Sequence, residues 1–271
     1  MPELPEVETT RRGITPLLQG DTVSEVIVRE SRLRWQVPDS LPGNLSGQSI
    51  LDITRRAKYI IFHFDRGYLI LHLGMSGSLR ILTEQQPAGK HDHVDLVFTS
   101  GNVLRFRDPR RFGSLHWTEM NPENHPLLKA LGPEPLSDLF SGDYLYSRSR
   151  GRKQPVKTFI MNSHIVVGVG NIYACESLFT AGIHPRRSAG KIGKVRYEKL
   201  ARSIKEVLQL ALAKGGTTLR DFVNGRGEPG YFRHELKVYD RAGMHCVRCQ
   251  SVLKSQRIGQ RSTFYCGRCQ H

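Results

Sequence analysis

The sequence predicts an α+β protein. A helix opens the chain, an antiparallel β-sandwich or barrel follows, then a helical region, and a C-terminal segment organised by four cysteines closes it. Three observations predict this. An apolar stripe runs from Glu3 to Leu18. Eight short apolar runs broken by turn residues fill Thr22 to Trp117. Cys246-Val247-Arg248-Cys249 is followed, sixteen residues on, by Cys266-Gly267-Arg268-Cys269.

The first helix rests on Leu4, Val7, Ile14, Leu17 and Leu18, which approximate one face, and on Gly20, which stops it. Pro2, Glu3 and Glu6 suit the positive end of such a helix. The strands are expected at Val23–Val28, Ser49–Ile53, Tyr59–Phe64, Tyr68–Leu73, Ser78–Leu82, Val94–Phe98, Val103–Phe106 and Gly113–Trp117. Breaks at Asp65-Arg66-Gly67, Ser100-Gly101-Asn102 and Asp108-Pro109 separate them, a spacing that favours consecutive antiparallel strands over βα units. The first domain is therefore assigned to residues 1–132 and a linker to 133–150. Helices are expected at Gly142–Ser149, Val156–Ser163, Asn171–Ala181, with Asn171 as N-cap, and Val195–Lys214. The last three make a second domain over 151–235, which carries a polar, Gly-rich loop over 217–232; loops of that length are usually functional or disordered. Residues 236–271 form the cysteine segment.

Composition narrows the partners. Forty Lys+Arg stand against 25 Asp+Glu, a formal charge of +15 and a pI near 9.9. Such an excess concerns association with polyanions, not fold. There is no 18-residue apolar run and no basic amphipathic tail, so a membrane partner is not expected; nor is there a secretory leader. In a reducing compartment, C-x2-C-x16-C-x2-C reads as one tetrahedral zinc site, ligated by Cys246, Cys249, Cys266 and Cys269. Four thiolates leave no open coordination position, so the ion is structural. Arg248, Arg257, Arg261 and Arg268 lie in or between the knuckles, and a hairpin tip with Gln260-Arg261 is suited to probing DNA. The fifth cysteine, Cys175, is expected buried and inert in a helix.

Three further segments pair Arg or Lys with aromatic or turn residues: Arg55-Arg56-Ala57-Lys58-Tyr59, Lys90-His91-Asp92-His93 and Asp108-Pro109-Arg110-Arg111-Phe112-Gly113. The split His pair lacks the carboxylates a metal site would need. Met75 sits between Gly and Ser in Leu73–Gly77. Apolar wedges and Arg on loops are what a protein uses to unstack a duplex. Pro2 carries its own chemistry. Once Met1 is removed, its amine, with a pKa of about 8 against about 10.4 for Lys, supplies a neutral nucleophile at pH 7.

Taken in order, the Pro2–Glu8 opening, Arg55–Tyr59, Leu73–Gly77, Lys90–Val94, Asp108–Gly113, Val167–Leu178 and the four-cysteine finger resemble the bacterial formamidopyrimidine-DNA glycosylases, from residue 2 to residue 269. The resemblance implies a helix and β-sandwich, a helix–two-turns–helix domain and a zinc-finger hairpin. It implies excision of oxidised purines such as 8-oxoguanine and formamidopyrimidines from double-stranded DNA, with β,δ-elimination at the abasic site. By that likeness Pro2 is the nucleophile, Glu3 the general acid, Lys58 the proton donor for β-elimination and Arg261 the one for δ-elimination. Met75, Arg110 and Phe112 match the residues that fill the void of the flipped nucleotide. His91, Lys157 and Asn171 match positions near phosphates or the lesion strand. One structural zinc, no nucleotide cofactor, a monomer and a bacterial cytoplasm complete the expectation. The alternatives are an endonuclease VIII-like enzyme for oxidised pyrimidines and a non-enzymatic zinc-finger DNA-binding protein, which would have no use for Pro2-Glu3.

Overall fold

The computed structural model describes residues 2–83, 86–217 and 232–271. They fall into two compact units, Met1–Lys129 with Lys214–Arg233 and Ala130–Ala213 with His234–His271. The loop expected over 217–232 lies, except for its two end residues, outside the described residues, as does Met1.

In the first unit α1 (Leu4–Leu18) is followed by β1 (Val23–Val28), the short α2 (Leu41–Leu45), β2 (Ile50–Arg56), β3 (Tyr59–Phe64), β4 (Gly67–His72), β5 (Ser78–Leu82), β6 (Asp92–Phe98), β7 (Val103–Arg107) and β8 (Ser114–Thr118). All eight expected strands form. They divide into two four-stranded antiparallel sheets, ordered β1-β6-β7-β5 and β2-β3-β4-β8. Strand alternation decides what is buried: Ile60, Phe62 and Phe64 of β3 join Leu69 and Leu71 of β4 on the inner face, against Leu79, Val94, Leu96, Phe98, Leu104 and Phe106 of the other sheet. The sandwich reading holds over the barrel.

Helix α1 adds Val7, Ile14 and Leu18 to that core. Leu17, counted in the apolar stripe, is instead 41 % exposed, because position 17 turns one residue past the buried face. The helix is fastened to β2 by charge. Arg11 and Arg55 both reach the Glu8 carboxylate, at 2.8 and 3.1 Å, and Arg11 also donates to the Ile53 carbonyl at 3.1 Å. Burial works to raise the Glu8 carboxyl, but hydrogen bonds from Arg11 and Arg12 and the charges of Arg11 and Arg55 hold it down to about 2.

The second unit holds α3 (Gly142–Ser149), α4 (Val156–Ile160), α5 (Asn171–Ala181), α6 (Lys194–Ala213), and the hairpin of β9 (Lys254–Ile258) and β10 (Arg261–Tyr265). Helix α6 buries Tyr197, Leu200, Ile204, Leu208 and Ala211, a 3.6-residue stripe. Helix α5 is apolar nearly all round and ends on Gly182 at φ +72°, a left-handed cap. Its N-cap is Gly170, not Asn171: the Asn171 side chain is directed away from the helix, for the reason given below. No helix among the described residues is long and apolar enough to cross a membrane.

Glu8 yields a pH prediction. Its folded pKa is depressed below the usual 4.5, so its contribution is fully present above that value and is lost as pH falls toward 2. Glu8→Gln is expected to cost about 1–3 kcal/mol at pH 7. It should also flatten the fall in melting temperature between pH 5 and pH 3, as measured by circular dichroism.

Candidate active site and nucleic-acid interface

The head of α1 is closed to water. Pro2 is buried, and Glu3 and Glu6 are each 2 % exposed. Glu3 is the N-cap of α1, with a reciprocal capping box: its side chain accepts from the Glu6 amide, while Glu6 Oε2 accepts from the Glu3 amide at 2.8 Å. The other carboxylate oxygen of Glu6, Oε1, accepts from the Thr217 amide at 2.8 Å. Gly216, at φ +83°, packs so closely on Glu6 that a Cβ there would lie 3.2 Å from Oε1. The Phe232 amide donates to the Gly216 carbonyl at 3.0 Å, which brings the two ends of the 217–232 segment together beside Glu6.

Lys58 occupies the two-residue turn between β2 and β3. Ala57 before it takes φ +55°, which glycine usually supplies, and the Arg55 guanidinium holds the Ala57 carbonyl at 2.8 Å. One strand over, His72 lies 4.8 Å from Tyr59, ring to ring, and its Nδ1 accepts from the Gly74 amide at 2.9 Å. Burial, and after it the charges of Lys58, Arg34 and His116, push the His72 pKa down to about 4. At neutral pH His72 is therefore an uncharged imidazole whose Nε2–H is left to donate. The sequence offered no periodicity or spacing that singles it out; its significance comes from pairing across β3 and β4.

The wedge candidates share one organiser. Asp108 is fully buried. Its Oδ1 accepts from the Ser76 hydroxyl at 2.7 Å and from the Arg110 amide at 3.3 Å, and its Oδ2 from the Gly113 amide at 2.7 Å. His93 Nε2 meets the Asp108 carbonyl at 2.8 Å, and the Asp108 amide donates to the His91 carbonyl at 3.0 Å. The turn carrying Met75 and the loop carrying Arg110 and Phe112 are thus bonded to one carboxylate. Gly74 lets them touch: at φ +67°, a Cβ there would lie 2.3 Å from the Phe112 carbonyl carbon. Above this frame Phe112 stays 42 % exposed and Arg110 stacks on its ring, 4.9 Å from guanidinium carbon to centroid. The role of Asp108 escaped the sequence reading, which took it as a strand break.

In the second unit the four cysteine sulfurs lie within 4.8 Å of one another, with Cys246 and Cys269 3.9 Å apart and Cys249 and Cys266 3.5 Å apart. Four sulfurs at about 2.3 Å from one tetrahedral ion have such separations, so the set fits one structural zinc. Amides of Arg248 and Cys269 donate to Cys246 and Cys266 sulfurs at 3.4 Å, which steadies both knuckles. Arg248 turns inward to the carbonyls of Phe179 and Thr180 at the end of α5, where it also stacks on Phe179. Arg261 begins β10 just after Gly259 and Gln260, both at positive φ, so it stands at the hairpin tip. Lys157 is 0 % exposed, and its ammonium donates to Asn171 Oδ1, Thr263 Oγ1 and the Ser262 carbonyl at 2.5, 2.6 and 3.2 Å. Asn171 Nδ2 donates to the same Ser262 carbonyl at 3.0 Å, which is why it does not cap α5. Cys175 is buried beside Phe179 and Cys246, as its apolar helix implied.

A helix-anchored sandwich, a helical unit and a four-cysteine finger, with basic and apolar groups raised on fixed loops, define a DNA-binding enzyme class. The comparisons name it. The model of the formamidopyrimidine-DNA glycosylase N-terminal domain matches residues 1–115, that of the H2TH domain of the same glycosylases residues 131–223, and that of a zinc finger found in FPG and IleRS residues 245–271. The formamidopyrimidine-DNA glycosylase of Nitrosococcus oceani is 58 % identical over 271 residues and all of both chains. A Lactococcus lactis FPG mutant in complex with Fapy-dG containing DNA superposes over all of both chains with a TM-score of 0.92 at 33 % identity. The wild-type Lactococcus lactis enzyme, solved with an oxidised pyrimidine containing DNA, does so with a TM-score of 0.91 at 33 % identity. The chain belongs to the formamidopyrimidine-DNA glycosylase family, DNA glycosylases with abasic-site lyase activity that act in base-excision repair.

Two measurements test the site. The His72 ring should titrate near pH 4 in the folded protein and stay neutral from pH 5 to 8; a midpoint near 6.5 by NMR would remove it as a neutral donor. Cys249→Ser should lose zinc and weaken DNA binding by about tenfold or more, while the sandwich keeps its own melting transition.

Proposed function

We propose that this enzyme excises oxidised purines, 8-oxoguanine and formamidopyrimidines, from duplex DNA and nicks the product site through an imine formed on Pro2. The observation that carries the reading is the sealed head of α1, where Pro2 and Glu3 sit buried in a two-way capping box. A terminal amine on a loose tail would forfeit the positional advantage that catalysis draws on. In this reading Met1 is removed and the Pro2 nitrogen lone pair attacks C1′ of the damaged nucleotide. The C1′–N bond to the base breaks, the base leaves with a proton, and Glu3 carries protons at the sugar as its ring opens to an iminium. The positive nitrogen acidifies C2′–H. Loss of that proton breaks the C3′–O bond, with Lys58 as the proton donor. A second elimination, with Arg261 as donor, breaks C5′–O. Met75, Arg110 and Phe112 enter the stack as the nucleotide leaves it, and the frame under Asp108 supports this by holding the turn of Met75 and the loop of Arg110 and Phe112 at once. His91 and Asn171 face phosphates, and neutral His72, a donor beside Lys58, joins them.

The named activity of the curated relatives and the Fapy-dG complex of the Lactococcus lactis enzyme support the purine substrate. The oxidised-pyrimidine complex of that enzyme favours a second activity on pyrimidine lesions. We divide the chain into a catalytic domain over 1–132, a linker over 133–150, a helix–two-turns–helix domain over 151–235 and a finger over 236–271; the three family matches support the order of the parts, but the H2TH match begins at residue 131 and takes in the linker segment with α3. We place the enzyme in the bacterial cytoplasm, as a monomer on chromosomal DNA.

Borohydride trapping tests the chemistry. The wild-type protein should form a covalent adduct with 8-oxoguanine duplex, and faster than with thymine glycol duplex. Pro2→Gly with Met1 retained should form none. Absence of a wild-type adduct would sink the lyase mechanism, and a thymine glycol preference would overturn the substrate.

A further inference from the structure

A buried lysine among neutral oxygens is costly unless every N–H is answered. Lys157 answers all three with oxygens from two elements: Asn171 at the start of α5, and Ser262 and Thr263 of β10. The neighbouring residue extends the contact. A Cβ on Gly259, at the turn of the same hairpin, would lie 2.7 Å from Thr158 Cγ2. Residues 157 and 158 of α4 therefore form the seat of the β9–β10 hairpin, and Arg261 stands between the two points where the hairpin is held. The side chain has neither exposure nor a spare donor with which to take a phosphate.

We propose that Lys157 is a positioning residue: its ammonium fixes β10 and the Asn171 amide in register, and so aims Arg261, without touching DNA. This rests on the reading of Arg261 as the donor for δ-elimination.

The full zinc-loaded chain tests it on abasic-site duplex. Lys157→Met is expected to keep its zinc and to lower the ratio of δ- to β-elimination product at least about fivefold, as loss of hydrogen bonds to a charged group would. The slope of log affinity against log salt should stay at the wild-type value. Hydrogen exchange of the β10 amides should accelerate. A slope shallower by about one marks a direct phosphate contact and overturns the proposal. So does an unchanged product ratio where Arg261→Gln shifts it. If Arg261→Gln leaves the ratio unchanged, the reading of Arg261 fails instead, and β10 exchange then decides: unchanged protection overturns the positioning role. If Lys157→Met fails to fold, Thr263→Val, which keeps the charge and removes one acceptor, should move ratio and exchange the same way by about twofold; no movement in either overturns the proposal.

Discussion

The Glu6 carboxylate receives the amides of Glu3 and Thr217, both at 2.8 Å, from positions 214 residues apart in number. One oxygen closes the first turn of α1 and so fixes the residue that follows Pro2. The other fixes the point where the chain leaves toward residue 218. A buried amide left without its acceptor costs about 1–3 kcal/mol. Exchanging this carboxylate for an apolar group would therefore loosen the head of α1 and the backbone at Thr217 together. The course of the chain at both places depends on that single group.

The same device recurs. Asp108 gathers the amides of Arg110 and Gly113 and the hydroxyl of Ser76. Glu176 of α5 is 2 % exposed and accepts from the amides of Lys237, Val238 and Tyr239, at 2.8 to 3.0 Å, which seats the chain ahead of the finger. In each case a carboxylate satisfies backbone donors in a segment that has no ladder of its own. There is a consequence for charge. Seven carboxylates, Glu3, Glu6, Glu8, Asp92, Asp95, Asp108 and Glu176, are buried among the described residues. Acids spent on internal scaffolding leave the exterior richer in Lys and Arg than the sequence total implies. That favours association with a polyanion before any specific contact forms.

This also explains what could be read from the sequence. Strand positions were legible because Gly, Asp and Pro break a period-two pattern at each turn, and the finger because four cysteines at fixed spacing admit few geometries. The partition of eight strands into two sheets was not, since β1 pairs with β6 across some seventy residues and no local pattern encodes that choice. Among site residues, Pro2 and Lys58 stood out through the family likeness and their neighbours. Glu6, Asp108 and Glu176 did not, because a carboxylate in a first helical turn, after a strand or within a helix has an ordinary local explanation. Asn171 was read as a cap for the same reason: it precedes an apolar helix, but Lys157 and Ser262 outcompete the helix amides for its side chain.

The proposed reactive and intruding side chains also follow a common rule of placement. Pro2 precedes the capping box. Lys58 follows Ala57 at φ +55°, Met75 follows Gly74 at φ +67°, Phe112 follows Arg111 at φ +56°, and Arg261 follows Gln260 at φ +59°. A left-handed residue makes the chain turn sharply and strains any side chain other than glycine, so it persists only where surrounding bonds enforce it. For two of the non-glycine residues such bonds are on hand: Arg55 donates to the Ala57 carbonyl, and the Arg111 amide donates to the Asp108 carbonyl; Gly74, which carries no strain, sits where the Phe112–Gly113 backbone leaves no room for a Cβ. Each of these side chains thus starts from backbone whose course its neighbours restrain. Groups proposed to enter a duplex and to align with one reacting carbon gain from that, because a fixed support sets the distance and direction of approach before the DNA arrives.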